Sequence, residues 1–359
     1  MTRVCFFGAW DPEYPRNRIL REGLRRAGLE VVEARVAEHR AFRRYPALAA
    51  AFGRVVREVD VLLVPEFRHK DVPLASWLKG RRPLIFDPLV SRHDTLVGDW
   101  GVHAAGSAQA RWNRCIDRWT LGLADVVLCD TWAHGALFER LGVQPARLRR
   151  VLVGAEDAFF TVGPPPAADP VQVVYIGGFL PLHGVPTVIE AVARLERGAA
   201  GLPDFRVTLA GKGIEYETAR DLARRCGITC VEFAGPCPYD ESPRVLERSH
   251  VVLGAFGTSE KAGRVIPHKV YQGLAAGRAV VTGDGPGLRE VFEPGVHLLA
   301  TPRGDAAGLA AVLERLIRSA EVRALLGARG RERTREIGTV DRIGQSLGAA
   351  IAGGGERRT

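Results

Sequence analysis

The segment Gly163-Pro164-Pro165-Pro166, followed by Val171-Gln172-Val173-Val174-Tyr175-Ile176-Gly177-Gly178, divides the chain into two similar halves. A Gly/Pro cluster punctuates regular structure, and what restarts after it is an apolar strand ending on glycines. Upstream, the runs 3–7, 29–34, 60–65, 83–87 and 125–130 are short and apolar. A helical spacing separates the first two, with Ile19, Leu20, Leu24 and Ala27 on one face. Downstream, 171–176, 205–210, 230–233, 251–253 and 279–282 repeat the pattern. Strands without polar alternation are buried on both faces, as in parallel sheets covered by helices. The expectation is an α/β chain of two doubly wound, Rossmann-like parallel-sheet domains, 1–162 and 168–335, facing a central cleft beside the strand carboxyl ends. A helix within 336–352 is expected to cross back to the first domain, and 353–359 to form a disordered tail.

The bulk numbers agree with two domains: 359 residues, 46% hydrophobic and 25% charged. No run of apolar residues is long enough to span a bilayer. MTRVCFFGAW turns straight into a strand-like run without a small-residue cleavage site, so a cytoplasmic protein is expected, with peripheral contact at the inner membrane face as an option. Cys5, Cys115, Cys129, Cys226, Cys230 and Cys237 suit reduced thiols. The spacing of the last three does not make paired C-x2-C knuckles, and no metal is expected.

The net charge of +9 is uneven, with 25 basic against 17 acidic residues in positions 1–150, which leaves +8 there. This hints at an anionic partner for the first half. Phe42, Tyr45, Leu48, Phe52, Val55 and Val56 recur at helical spacing among Arg40, Arg43, Arg44, Arg54 and Arg57. That helix either packs its stripe on the sheet or makes a basic amphipathic contact with anionic lipid. Pro46 would kink it or start it late. Most of the basic charge is spread over helices without interleaved aromatics, so no nucleic-acid partner is expected.

Chemistry is expected at the strand ends. Gly8-Ala9-Trp10, Gly177-Gly178 and Gly211-Lys212-Gly213 each place small residues where backbone can approach phosphate. In the stretch 257–277 a polar, cationic loop enters a helix with Pro267 near its first turn. Free N–H groups there, with Lys261, Arg264 and Lys269, would make a diphosphate site. The chain has 5 lysines against 45 arginines, and Lys212, Lys261 and Lys269 all lie in these loops. A compact ammonium suits a point contact with phosphate.

On these residues the sequence resembles the glycosyltransferase family 4 group of GT-B enzymes, over nearly the whole chain. Tyr175 to Gly184, Leu209 to Gly213 and Phe233-Ala234-Gly235-Pro236 look like the family's donor loops, and Lys269 to Gly277 like its ribose-binding helix. The resemblance implies a nucleotide-diphosphate sugar as donor, a retaining and metal-independent transfer, no cofactor, and an acceptor that is either a lipid-linked glycan or a small natural product. Donor contacts would come from Gly8, Gly178, Phe179, His183, Lys212, Gly235, Pro236, Glu260, Lys261, Arg264, Pro267, Lys269 and Gln272. Asp87, His93 and Asp94 would face the reacting sugar or the acceptor. Two departures stand out. Arg264 and Gln272 occupy slots where the family often carries glutamates, and His183 stands where many members have lysine. A non-catalytic nucleotide-sugar-binding or scaffold protein, or a nucleotide-sugar epimerase, are the alternatives.

Overall fold

A computed structural model describes residues 1–38, 40–167, 170–198 and 201–355, with the side chains of 41 and 42 outside the described residues. The chain forms two compact units, Met1–Val153 together with the chain from Val340 onward, and Gly154–Thr339.

The first unit holds β1 (Arg3–Gly8), β2 (Glu30–Arg35), β3 (Val61–Val64), β4 (Leu84–Phe86), β5 (Val126–Cys129) and β6 (Leu148–Arg150) in the order β2-β1-β3-β4-β5-β6. The second holds β7 (Val171–Ile176), β8 (Phe205–Ala210), β9 (Val231–Gly235), β10 (Val251–Leu253), β11 (Ala279–Gly283) and β12 (Leu299–Thr301) in the order β12-β11-β10-β7-β8-β9. Every ladder is parallel, because each strand is followed by a crossover rather than a hairpin. Strands β3, β4 and β10 are buried at every position, as their unbroken Val, Leu, Ile and Phe runs require. Each sheet changes winding direction once, between β1 and β3 and between β7 and β10, and such switch points open a crevice at the strand carboxyl ends.

The structure adds two short edge strands to the expected runs and details to the expected bounds. Edge strands β6 and β12 have three residues each, too short to show a period in sequence. The division falls at Val153/Gly154 rather than within 163–166, because that segment is tied to the second unit. Arg278 donates to the Gly163 carbonyl at 2.8 Å, and His250 Nε2 lies 3.0 Å from the Pro166 carbonyl. Residues 353–355 are held rather than loose: Arg149 Nε donates to Gly354 O at 2.7 Å. The rest of the expected tail, 356–359, lies outside the described residues.

The helix Val340–Ile351 packs on the helix Pro15–Arg26 in the first unit. Gly23 and Gly344 meet backbone to backbone at the crossing, where a side chain on either would collide. The helix Ala41–Val55 keeps Pro46 inside it and buries Leu48 and Phe52 in the core. Its Arg44 turns inward and pairs with Asp71 at 2.8 Å. Leu48 and Phe52 of the apolar stripe are therefore spent on the core, as the packing alternative for this helix requires, and Phe42 of that stripe lies outside the described side chains.

Candidate functional site

In the second unit the chemistry gathers around one residue, Lys269. It lies in the first turn of the helix His268–Ala275, which Pro267 precedes in an extended conformation and Gly277 closes in a left-handed one. The side chain is buried, and its Nζ has no hydrogen-bond partner. It stands 3.6 Å above the centre of the Tyr175 ring, on the last turn of β7 before the glycines. Burial pushes the ammonium well below its ordinary range, since nothing anionic compensates its lost hydration.

Glycine makes this approach possible. Gly177 has φ of +146°, and a Cβ there would sit 2.8 Å from Lys269 Nζ. Gly211, at φ of +153°, lets the loop after β8 lie on the Gly177 carbonyl, where any side chain would collide. Gly211 N donates to Gly235 O at 2.6 Å, so the loops after β7, β8 and β9 are laced into one layer.

Around Lys269, the Gly178 carbonyl accepts from the Tyr175 hydroxyl and faces His183 Nδ1, and the two side chains lie 2.9 Å apart. His183 is held well below the usual imidazole range by burial, then by the Lys269 and Lys261 charges. Where many family members are expected to carry a lysine, His183 thus offers a neutral imidazole. Tyr175 is pushed up by burial and by Glu215, so it stays a phenol.

The other expected donor residues divide. Lys261 and Arg264 are buried on the short helix Glu260–Arg264, and Arg264 pairs with the exposed Glu260 at 2.7 Å. Gln272 is buried and its Nε2 reaches the Tyr239 hydroxyl at 3.4 Å. Lys212 and Pro236 are exposed. The Phe179 ring is in the core against Tyr216 and Phe233, which leaves its backbone for the donor contact expected of it.

The first unit holds a separate polar group at the carboxyl ends of β1, β3 and β4. Asp87 is fully buried and pairs with Arg16 Nε at 2.9 Å, and Arg16 also donates to Val151 O at 3.1 Å. Both Asp87 oxygens, expected to face the reacting sugar or acceptor, face Arg16. Beside Gly8 the Asp71 carboxylate accepts from Ala9 N at 2.9 Å and lies where a side chain on Gly8 would fall. The backbone amides of His93 and Asp94 donate to Asp117 at 2.9 Å and to Ser91 Oγ at 3.0 Å, and both side chains are half-buried.

Sequence reasoning missed several members of this group. Glu66 follows β3 directly, is fully buried, and leaves Oε2 without a partner. Burial, then the Asp87 charge, pushes its carboxyl up to about 8. An acid at a strand end beside the switch point was the available signal. His69 lies 3.4 Å from Asp117, a pairing across two elements that no local pattern announces. Phe67 and Leu89 adopt φ of 59° and 55°, uncommon for residues with side chains and typical of strained site loops. Among the described residues no group of His, Cys, Asp and Glu could hold a metal. A surface cavity of about 700 Å³ bounded by Gln172, Thr208, Arg244 and His250 contains none of the residues above.

Residues 162–333 match the model of the family described as glycosyl transferases group 1. The match covers just under half of the chain, lies within the second unit and includes Tyr175, Gly177, His183 and Lys269. Two curated relatives are similar to just under half of this chain. One is the lipopolysaccharide core biosynthesis glycosyltransferase LpsE of Rhizobium meliloti, 31% identical over 46% of this chain and 45% of its own length. The other is the amylovoran biosynthesis glycosyltransferase AmsK of Erwinia amylovora, 26% identical over 49% and 40%. The matched stretch thus spans less than half the length of these relatives. Among solved structures, Anabaena Alr3699/HepE in complex with UDP and glucose has a TM-score of 0.74 at 15% identity, covering 98% of this chain and 100% of that one. Sucrose-phosphate synthase from Thermosynechococcus elongatus has a TM-score of 0.75 at 16% identity, covering 97% and 98%. These likenesses place the two parallel-sheet units in the GT-B fold class.

Proposed function

We propose that this chain is a glycosyltransferase that moves a sugar from a nucleoside diphosphate to an acceptor hydroxyl, with retention at the anomeric carbon. The observation that carries the reading is the buried, unpartnered Lys269 ammonium beside Gly177 and Gly178. A buried charge without a partner is costly, and a diphosphate would supply the missing anion. The amino end of the helix His268–Ala275 adds its dipole to the same charge. Lys261 and Arg264 complete the cationic set. The leaving group's charge is then carried by the protein, and the proposed reaction has no metal step and no cofactor.

In this reaction the bond from the anomeric carbon to the diphosphate oxygen breaks and a bond to the acceptor oxygen forms on the same face. The acceptor proton passes to the departing diphosphate. His93 and Asp94 are proposed contacts of the sugar or acceptor. A hexosyl donor, a lipid-linked or small-molecule acceptor and a cytoplasmic location belong to the same proposal. HepE is described with UDP and glucose, which makes UDP the first nucleotide to try.

Titration calorimetry with UDP, GDP, dTDP and ADP tests the donor half. Binding of one nucleotide, lost in Lys269→Ala, supports it, and the anomer of the product tests retention. Arg264 and Gln272 in the two glutamate slots favour a second reading, a non-catalytic nucleotide-sugar binder. Nucleotide binding without turnover of any sugar nucleotide would select it.

A further inference from the structure

The helix Ala108–Leu123 buries Ala110, Asn113, Ile116, Asp117, Thr120 and Leu121 against the first unit. Its outer side is unusual. Trp112 is 63% exposed and Trp119 is 56% exposed. Seven residues apart, they stand two turns along one stripe, about 10.5 Å from each other. Arg111 and Arg118, also seven apart, line the flank of that stripe with Arg114 beyond them, all exposed. The one acid of the helix, Asp117, points inward and accepts from Ser91, Arg92 and His93. The helix Val72–Leu78 packs alongside and carries Trp77, which is 78% exposed.

We propose that this face docks the protein on an anionic lipid surface. Tryptophan left in water at two positions of one stripe, with a third on the helix packed alongside, costs hydrophobic free energy with no return inside the fold. At headgroup depth the indole has an apolar body in the acyl boundary and its N–H in the wet layer. Arginine stems lie along the apolar surface while the guanidinium groups reach lipid phosphates. The exposed positions of the helix carry no carboxylate, which matches a negative plane. A second copy on this face would set arginine against arginine. A single-stranded nucleic acid needs a groove to clasp stacked bases, and this is the convex side of one helix.

The test uses the full chain and phosphatidylglycerol–phosphatidylcholine vesicles at low ionic strength, read by co-sedimentation and by tryptophan quenching with brominated lipid. The wild-type chain is expected to sediment and to be quenched. An R111Q/R114Q/R118Q variant is expected to bind roughly a hundredfold more weakly, at about fivefold per arginine. W112S/W119S is expected to lose most of the quenching. R43Q/R54Q/R57Q, on the helix Ala41–Val55, is the control and is expected to lose no more than its change in net charge explains. All variants are first matched to the wild-type chain by thermal melting. Failure of the wild-type chain to sediment, unchanged binding by both helix variants, or a loss confined to the control would each overturn the proposal. So would a concentration-dependent dimer that the W112S/W119S variant abolishes. Calorimetry with UDP in the same variants keeps this outcome separate from that of the transferase reading, since the lysine site is in the other unit.

Discussion

The Lys269 ammonium stands 3.6 Å from the centre of the Tyr175 ring and makes no hydrogen bond, while Gly177 passes beneath it where a methyl group would fall 2.8 Å from its nitrogen. Cation–π attraction offsets part of the burial cost and leaves the charge available. The arrangement holds a cation ready for a ligand.

Lys269→Met is expected to weaken nucleotide binding roughly 10- to 100-fold, the worth of a charge-assisted contact of about 1.5–3 kcal/mol. It is also expected to raise the melting temperature of the free protein, because it removes an uncompensated buried charge. The folded-state pKa is depressed, so the unfolded chain binds the extra proton between that value and 10.5. Stability of the wild-type protein therefore climbs as pH rises through this window, and the Met variant lacks that slope. A bound diphosphate raises the Lys269 pKa again, so in the pH range where the free ammonium loses its proton affinity falls with rising pH and binding takes up protons. Calorimetry in buffers of different ionisation enthalpy measures the uptake.

Gly177→Ala is expected to destabilise the protein by about 1–3 kcal/mol through its positive φ and its contact with Lys269. Adding Lys269→Ala removes the contact and leaves the dihedral strain. The double variant should therefore recover part of the loss in urea unfolding.

Arg16→Met is expected to cost about 3–5 kcal/mol, because it leaves Asp87 buried without its partner. Asp87→Asn should likewise act first on stability. An Asp87→Asn protein with wild-type stability and abolished turnover would support a catalytic role for Asp87.

Glu66 and His69 give opposite pH slopes. The Glu66 carboxyl keeps its proton up to about 8 in the folded state, so its contribution is full below the ordinary 4.5 and is lost as pH rises through 8. His69, pushed down to about 3 by burial and Arg92, contributes above 6.5 and loses that as pH falls through 3. Between pH 6.5 and 8 the Glu66 slope stands without the other. Across that interval the Glu66 contribution falls while that of Lys269 rises, so the slope of unfolding free energy against pH is expected to be more positive in Glu66→Gln than in the wild-type chain.

Much of this was legible because local patterns carry it. Unbroken Val, Ile and Leu runs ending on Gly8, Gly177 and Gly211 are enough to require buried parallel strands with tight turns. Pro267 and Gly277 bracket the helix that presents Lys269. The scarcity of lysine pointed to that residue before any contact was known.

The rest depends on distances along the chain. Arg16 meets Asp87 across 71 residues, and His69 meets Asp117 across 48, so no window contains both partners. A carboxylate at position 87 reads as catalytic or as structural until its partner is seen. The helix face at Trp112 and Trp119 was also hidden, because exposure is decided by what packs on the other side. The sequence alone determined two parallel α/β units and a cationic loop at the second switch point, since hydrophobic runs and glycine turns are local properties. Only the tertiary structure decided which charges are paired, which are left unpaired, and which aromatic residues remain in water, because burial and charge pairing belong to the packed chain.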